Sequence, residues 1–109
     1  MYTHISMFRL RDREKLAVHR DLIREKLLTF PAHIPYIAGY QVLDNCLAQP
    51  NVPEGSPLLF CDLIQIVTFR SAGDLAAYPH DPYHMAMVKE TDGIMERVCI
   101  LDFKNQEEA

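Results

Sequence analysis

"LLFCDLIQIVTF", residues 58–69, decides the fold of this chain. The stretch is rich in β-branched and aromatic residues, holds no Gly or Pro, and exceeds the usual length of about five or six residues for a strand. Divided by a period of two, it sets Leu63, Val67 and Phe69, with Gln65 among them, on one face and Ile64 and Ile66 on the other. A strand with apolar residues on both sides belongs to a sheet covered on both sides.

The first residues repeat the pattern. "YTHISMFRL", 2–10, alternates Tyr2, His4, Ser6, Phe8 and Leu10 with Thr3, Ile5, Met7 and Arg9, again apolar on both faces. "RDREK" then opens a helix over 13–30, in which Leu16, Ile23, Leu27 and Phe30 keep the three-four spacing of one face. Pro31 and Pro35 are expected to end it. "YIAGYQVLD", 36–44, reads as a second strand, with Gly39 marking a bulge or a close backbone approach. Residues 45–57, rich in Pro, Asn and Gly, read as a long loop.

After the long strand, Ser71 caps a helix that reaches about Tyr78. Pro79 interrupts it, and Asp81-Pro82 starts another at once, Asp81 as cap and Pro82 at the first helical position. That helix carries His84, Val88, Thr91 and Met95 along one face. "RVCILDFK", 97–104, is the last strand. Residues 1–104 form one domain, and 105–109 a solvated tail.

The order is therefore β-α-β-β-α-β, a ferredoxin-like α+β protomer with a four-stranded antiparallel sheet. Helices cover only one face of such a sheet. The second apolar face needs a partner, and a homodimer packed sheet to sheet supplies it.

Composition narrows the function. A net charge of −4 over 109 residues, with no Lys/Arg cluster, argues against nucleic acid. No apolar run approaches the roughly 20 residues of a membrane helix, and there is no signal-peptide pattern. Cys46, Cys61 and Cys99 show no CxxC spacing, which suits reduced cysteines in a cytoplasmic protein, with Cys61 and Cys99 as small core residues. No cofactor is indicated. His80 and His84 are four apart, but the break at Asp81-Pro82 separates them and no third ligand appears, so no metal site is expected. His19 is expected at the rim of the first helix's stripe and His33 in solvent. Met85, Met87 and Met95 read as core filler, with a pocket wall as the second reading.

Together "HISMFRL" (4–10), "DLIQIVTF" (62–69), "AAYPHDPYH" (76–84) and "VCILDF" (98–103) resemble the stress-responsive A/B barrel domain family. The resemblance implies a dimeric α/β barrel built from two ferredoxin-like protomers. The family includes a plant polyketide cyclase that works without a cofactor, and many members with no assigned reaction. By position, Tyr78 and His84 match a tyrosine and a histidine implicated in that cyclisation, and His4 matches a histidine of its first strand. Asp81 and Leu63 stand where the cyclase has two further histidines.

These positions make Tyr78, His84 and His4 the candidate catalytic residues. At the third position of a helix, in its positive first turn, His84 leans towards the neutral imidazole a general base needs, and Tyr78 could donate to a substrate carbonyl. The same two side chains could instead close the helix junction with local hydrogen bonds. Ser6, Phe8, Gln65, Val67 and Met87 are the candidate ligand-binding residues of a mostly apolar pocket between sheet and helices. For His4 and Gln65 the alternative is a small buried polar network without a ligand. Three functions follow: a dimeric protein that binds a small apolar or carbonyl-containing molecule, a cofactor-free cyclase or isomerase, or an assembly unit with a filled cavity.

Overall fold

The computed structural model describes residues 1–46 and 61–106. In chain order these form β1 (Tyr2–Leu10), α1 (Leu16–Leu27), α2 (Phe30–His33), β2 (Gly39–Asp44), β3 (Leu63–Phe69), α3 (Ala72–Ala77), a 3₁₀ turn (Tyr78–His80), α4 (Pro82–Thr91) and β4 (Met95–Lys104). The strands make one antiparallel sheet in the order β2-β3-β1-β4. This is the expected ferredoxin-like arrangement, with each helical region broken in two.

The alternation of β1 and β3 settles which face lies under the helices. His4, Ser6, Phe8 and Leu10 are buried on β1, as are Leu63, Gln65, Val67 and Phe69 on β3. They pack against Ile23, Leu27, Phe30, Ile34 and Tyr78. Each such apolar side chain contributes about 1.5–3 kcal/mol when fully buried, so this layer dominates stability.

The first helical region differs from the sequence reading at Pro31. The helix ends earlier, at Leu27, where the Leu28 N–H bonds to Arg24 O and Thr29 Oγ1 donates to Lys26 O at 2.6 Å. Pro31 then sits in the first turn of α2, where a missing N–H costs nothing. The last helix is also shorter than expected. It stops at Thr91, Gly93 falls in the following turn, and Met95 begins β4. The second strand begins at Gly39 rather than residue 36. A Cβ at Gly39 would lie 2.4 Å from Thr68 Oγ1, so the close approach expected there is present. The long strand starts at Leu63; its expected first residues 58–60, and the loop beyond Cys46, lie outside the described residues.

An ion pair that the sequence did not disclose clamps the start of β3. Arg13 grips the buried Asp62 carboxylate with both guanidinium nitrogens, at 2.8 and 2.9 Å. The same carboxylate accepts from the Leu10 N–H at 2.7 Å, and the Asp62 N–H donates to Phe8 O at 2.8 Å. Burial alone would raise the pKa of Asp62, but Arg13 and the Leu10 N–H outweigh it and hold the carboxyl below its usual range.

The opposite sheet face is apolar, and none of the described helices lies over it. Ile5 lies between Ile66 on β3 and Leu101 on β4, and Met7 between Ile64 and Cys99. Leu43, Leu101 and Phe103 are exposed there in the single chain. Cys99 is exposed as well, and Cys61 precedes β3 half-buried, so neither is the core residue expected. The reason is that β4 is an edge strand with little cover on either face. Met85 is likewise exposed on α4, whereas Met87 and Met95 pack against the core. Asn105, expected in the tail, is tied to β1 by its N–H to Met1 O at 2.9 Å and by Thr3 Oγ1 donating to Asn105 Oδ1 at 2.6 Å.

Candidate functional site

A cavity of about 230 Å³ lies between the helix-side face of the sheet and the helices. Ser6, Phe8 and Gln65 form its floor, and Ile23 and Leu27 of α1 one wall. His84, Met87 and Thr91 of α4 form the other wall, and Val98 and Ile100 of β4 line it where none of the described helices covers them. Lys26, paired with Glu90 between α1 and α4, also borders it. The lining is mostly apolar with a few polar groups, the composition of small-molecule sites.

The chain break between α3 and α4 aims His84 into this space. The Asp81 carboxylate accepts from the Tyr83 N–H at 2.9 Å and the His84 N–H at 3.4 Å, capping α4 as its sequence position foretold. Tyr36 braces the cap, its hydroxyl donating to Asp81 Oδ2 at 3.2 Å. His84 is thereby fixed in the first turn and half-buried. Burial holds its pKa below the ordinary imidazole value, with the Pro79 carbonyl offsetting part of the effect. The imidazole Nδ1 is buried and has no hydrogen-bond partner among the described residues.

Tyr78 does not line the cavity. Its ring is fully buried behind His84, with centroids 4.6 Å apart, and packs on Phe69 and on His4. The Tyr78 hydroxyl has no hydrogen-bond partner among the described residues. Burial, with a smaller contribution from Tyr40, pushes its pKa well above the ordinary phenol value, which keeps it a neutral donor.

His4 also stands behind the floor. Its Nδ1 lies 2.6 Å from Asp102 Oδ1, and its Nε2 3.0 Å from Ser6 Oγ. A carboxylate can only accept, so Nδ1–H donates to Asp102; in the neutral ring Nε2 then accepts from the Ser6 hydroxyl. Gln65 is tied differently, its amide nitrogen donating to Tyr40 Oη at 2.6 Å while Tyr40 donates to Leu27 O at 2.6 Å. The structure therefore brings Ser6, Phe8, Gln65, Met87 and His84 to one cavity and leaves His4, Tyr78 and Val67 in the layer beneath. His80 is exposed on the 3₁₀ turn, and His33 stacks on Tyr83 with ring centroids 4.1 Å apart.

Sequence reasoning missed Asp102 and Tyr40, the partners of His4 and Gln65. Both pairings depend on strand register, which periodicity does not supply. Among the described residues no group of three His, Cys, Asp or Glu side chains could hold a metal ion. None of the described helices is long and apolar enough to cross a membrane.

The domain model described as the stress responsive A/B barrel domain matches residues 2–105, nearly the whole chain. The chain belongs to this family. No curated protein matches it. Among solved structures, the A/B barrel chain is similar to a hydroxynitrile lyase from Passiflora edulis, at 17% identity and a TM-score of 0.76, covering 99% of this chain and 95% of that one. It is similar to a family protein with a ferredoxin-like fold from Mesorhizobium loti, at 14% identity and TM-score 0.74, covering 97% of each. A dimeric protein of unknown function with a ferredoxin-like fold from Bacteroides fragilis aligns at 23% identity and TM-score 0.72, covering 95% of each chain. At these identities the likeness establishes the A/B barrel protomer fold.

Proposed function

We propose that this A/B barrel domain is a cytoplasmic homodimer that binds a small, largely apolar carbonyl compound in the cavity between sheet and helices. The observation that carries the reading is the cavity of about 230 Å³, whose apolar walls meet His84, Ser6 and Gln65. That volume suits a compact molecule with one or two polar atoms. Dimerisation through the opposite sheet face is supported by its row of Ile5, Ile66 and Leu101, and by the Bacteroides relative, itself a dimer.

A second reading, cofactor-free proton transfer next to the carbonyl, is favoured by one feature. His84 borders the cavity as a neutral imidazole, the state a general base needs. Tyr78 would act from behind it, orienting the ring, and His4 through Ser6. One structural relative is a hydroxynitrile lyase, in keeping with enzyme chemistry on this fold.

Calorimetric titration with acetophenone tests the binding reading. Wild type is expected to bind it saturably, and Met87→Trp, which fills the cavity, to lose the heat of binding. Equal heats in both proteins would place the ligand elsewhere. Deuterium exchange into 2,4-pentanedione, followed by proton NMR, tests the second reading. His84→Ala is expected to lower the protein-catalysed rate by about a hundredfold or more, the scale of general base catalysis. An unchanged rate would remove His84 from that role.

A further inference from the structure

The Asp102–His4–Ser6 chain has the connectivity of a nucleophile, a base and the group that orients the base. Asp102 Oδ1 lies 2.6 Å from His4 Nδ1, and His4 Nε2 lies 3.0 Å from Ser6 Oγ. The fold dictates this alignment. His4 and Ser6 are two apart on β1 and share the helix-side face, while His4 pairs with Asp102 across the β1–β4 ladder. Of the three, Ser6 is the one that borders the cavity, and His4 is buried beneath it.

Gln65 is paired with Ser6 across the β1–β3 ladder and lines the same cavity. Its amide carries two N–H groups, of which one donates to Tyr40 Oη. The floor thus combines a hydroxyl aimed at a histidine with an amide donor beside it.

The geometry points to Ser6 as a nucleophile for acyl transfer from short-chain esters, with His4 as its general base and Asp102 as the positioning carboxylate. In the first half-reaction the Ser6 hydroxyl proton passes to His4 Nε2 as Oγ bonds to the ester carbonyl carbon. The bond from that carbon to the alcohol oxygen then breaks, and the alcohol leaves with the proton. In the second, a water gives a proton to His4 Nε2 and attacks the acyl carbon. The Ser6 Oγ–acyl bond breaks, Oγ recovers the proton, and a carboxylic acid leaves. As the neighbour of Ser6 on the cavity floor, Gln65 is assigned the role of donor to the carbonyl oxygen as it gains charge. The inference rests on the cavity's admitting a small carbonyl compound, but not on any role for His84.

The test uses the full chain and p-nitrophenyl butyrate, with peptide mapping by mass spectrometry and release of p-nitrophenol as readouts. Binding of the unreactive ketone 2-heptanone is measured in parallel. Butyrylation at Ser6 is expected, absent in Ser6→Ala and slowed by about a hundredfold or more in Asp102→Asn, which keeps the nucleophile but misorients the base. Butyryl groups found only on Cys46, Cys61, Cys99 or lysines would overturn the proposal. So would p-nitrophenol release that is unchanged in both variants. If 2-heptanone binds and Ser6 is never acylated, the nucleophile falls and the cavity reading stands. If 2-heptanone does not bind at all, both fall.

Discussion

The rings of Tyr78 and His84 stand 4.6 Å apart across the break between the 3₁₀ turn and α4, tilted by 54°, and each presents a buried polar atom without a hydrogen-bond partner among the described residues. An unpaired buried hydroxyl is a destabilising feature worth about 1–3 kcal/mol. Tyr78→Phe is therefore expected to raise stability by about 1 kcal/mol, or leave it unchanged, in a urea titration. A loss of stability of similar size would mean that the hydroxyl already has a partner in the folded protein.

His84 adds a pH dependence whose sign follows from its environment. Its pKa is lowered in the folded chain from the ordinary value of 6.5, chiefly by burial. Between the two values the unfolded state binds more protons than the folded state, so stability falls as pH drops below about 6.5. His84→Gln removes this contribution. The difference in unfolding free energy between wild type and variant is expected to shift in favour of the variant on acidification from neutral pH. A difference that stays constant from pH 7.5 to about pH 5 would show that the ring titrates normally.

The Arg13–Asp62 clamp joins the end of β1 to the start of β3, with Asp62 buried and Arg13 partly open to solvent. Arg13→Met leaves a buried carboxylate without its counter-charge. Breaking a fully buried pair costs about 3–5 kcal/mol, and the access of water to Arg13 lowers the expectation to about 2–3 kcal/mol. The Asp62 pKa lies below its ordinary value, so the stability it contributes is present above about pH 4 and is lost as pH falls through the folded value. Chemical denaturation of Arg13→Met at neutral pH checks the first point. A change under about 0.5 kcal/mol would identify the pair as an ordinary surface bridge.

Leu101 lies directly opposite Ile5 on the helix-free face and is exposed in the single chain. Wild type is expected to sediment as a dimer at micromolar concentration. Leu101→Glu, which places a charge in the middle of that apolar face, is expected to sediment as a monomer with its far-ultraviolet circular dichroism retained. A wild type that sediments only as monomer would refute the sheet-to-sheet pairing.

Much of this architecture was legible in the sequence because two short-range rules dominate it. Strand alternation grouped His4, Ser6 and Phe8 on one face of β1 and Gln65 with Leu63 and Val67 on one face of β3, the faces that prove to lie under the helices, and Asp81-Pro82 announced the start of α4. What was not legible depends on long-range geometry. Pro31 opens a short helix instead of ending one, because Thr29 and Leu28 had already closed α1. Cys99 and Met85 are exposed because none of the described residues packs over them, although their hydropathy suits a core. Asp102 went unnoticed because it meets His4 only through the β1–β4 register, 98 positions away in sequence. Within the candidate site, side-chain types were readable, but their depth was not. Tyr78 and His4 lie beneath the cavity floor and wall, a distinction of one side-chain layer that periodicity cannot make.

The five methionines allow the most direct test of the cavity. Met87 and Met95 line it, Met7 is on the opposite sheet face, and Met1 and Met85 are exposed elsewhere. With carbon-13 label in the methionine methyl groups, a titration with acetophenone can be followed at all five positions by NMR. Saturable shifts confined to the Met87 and Met95 methyls are the expected result. Shifts at Met1, Met7 and Met85 alone, or no saturable shift at any of the five, would contradict the account.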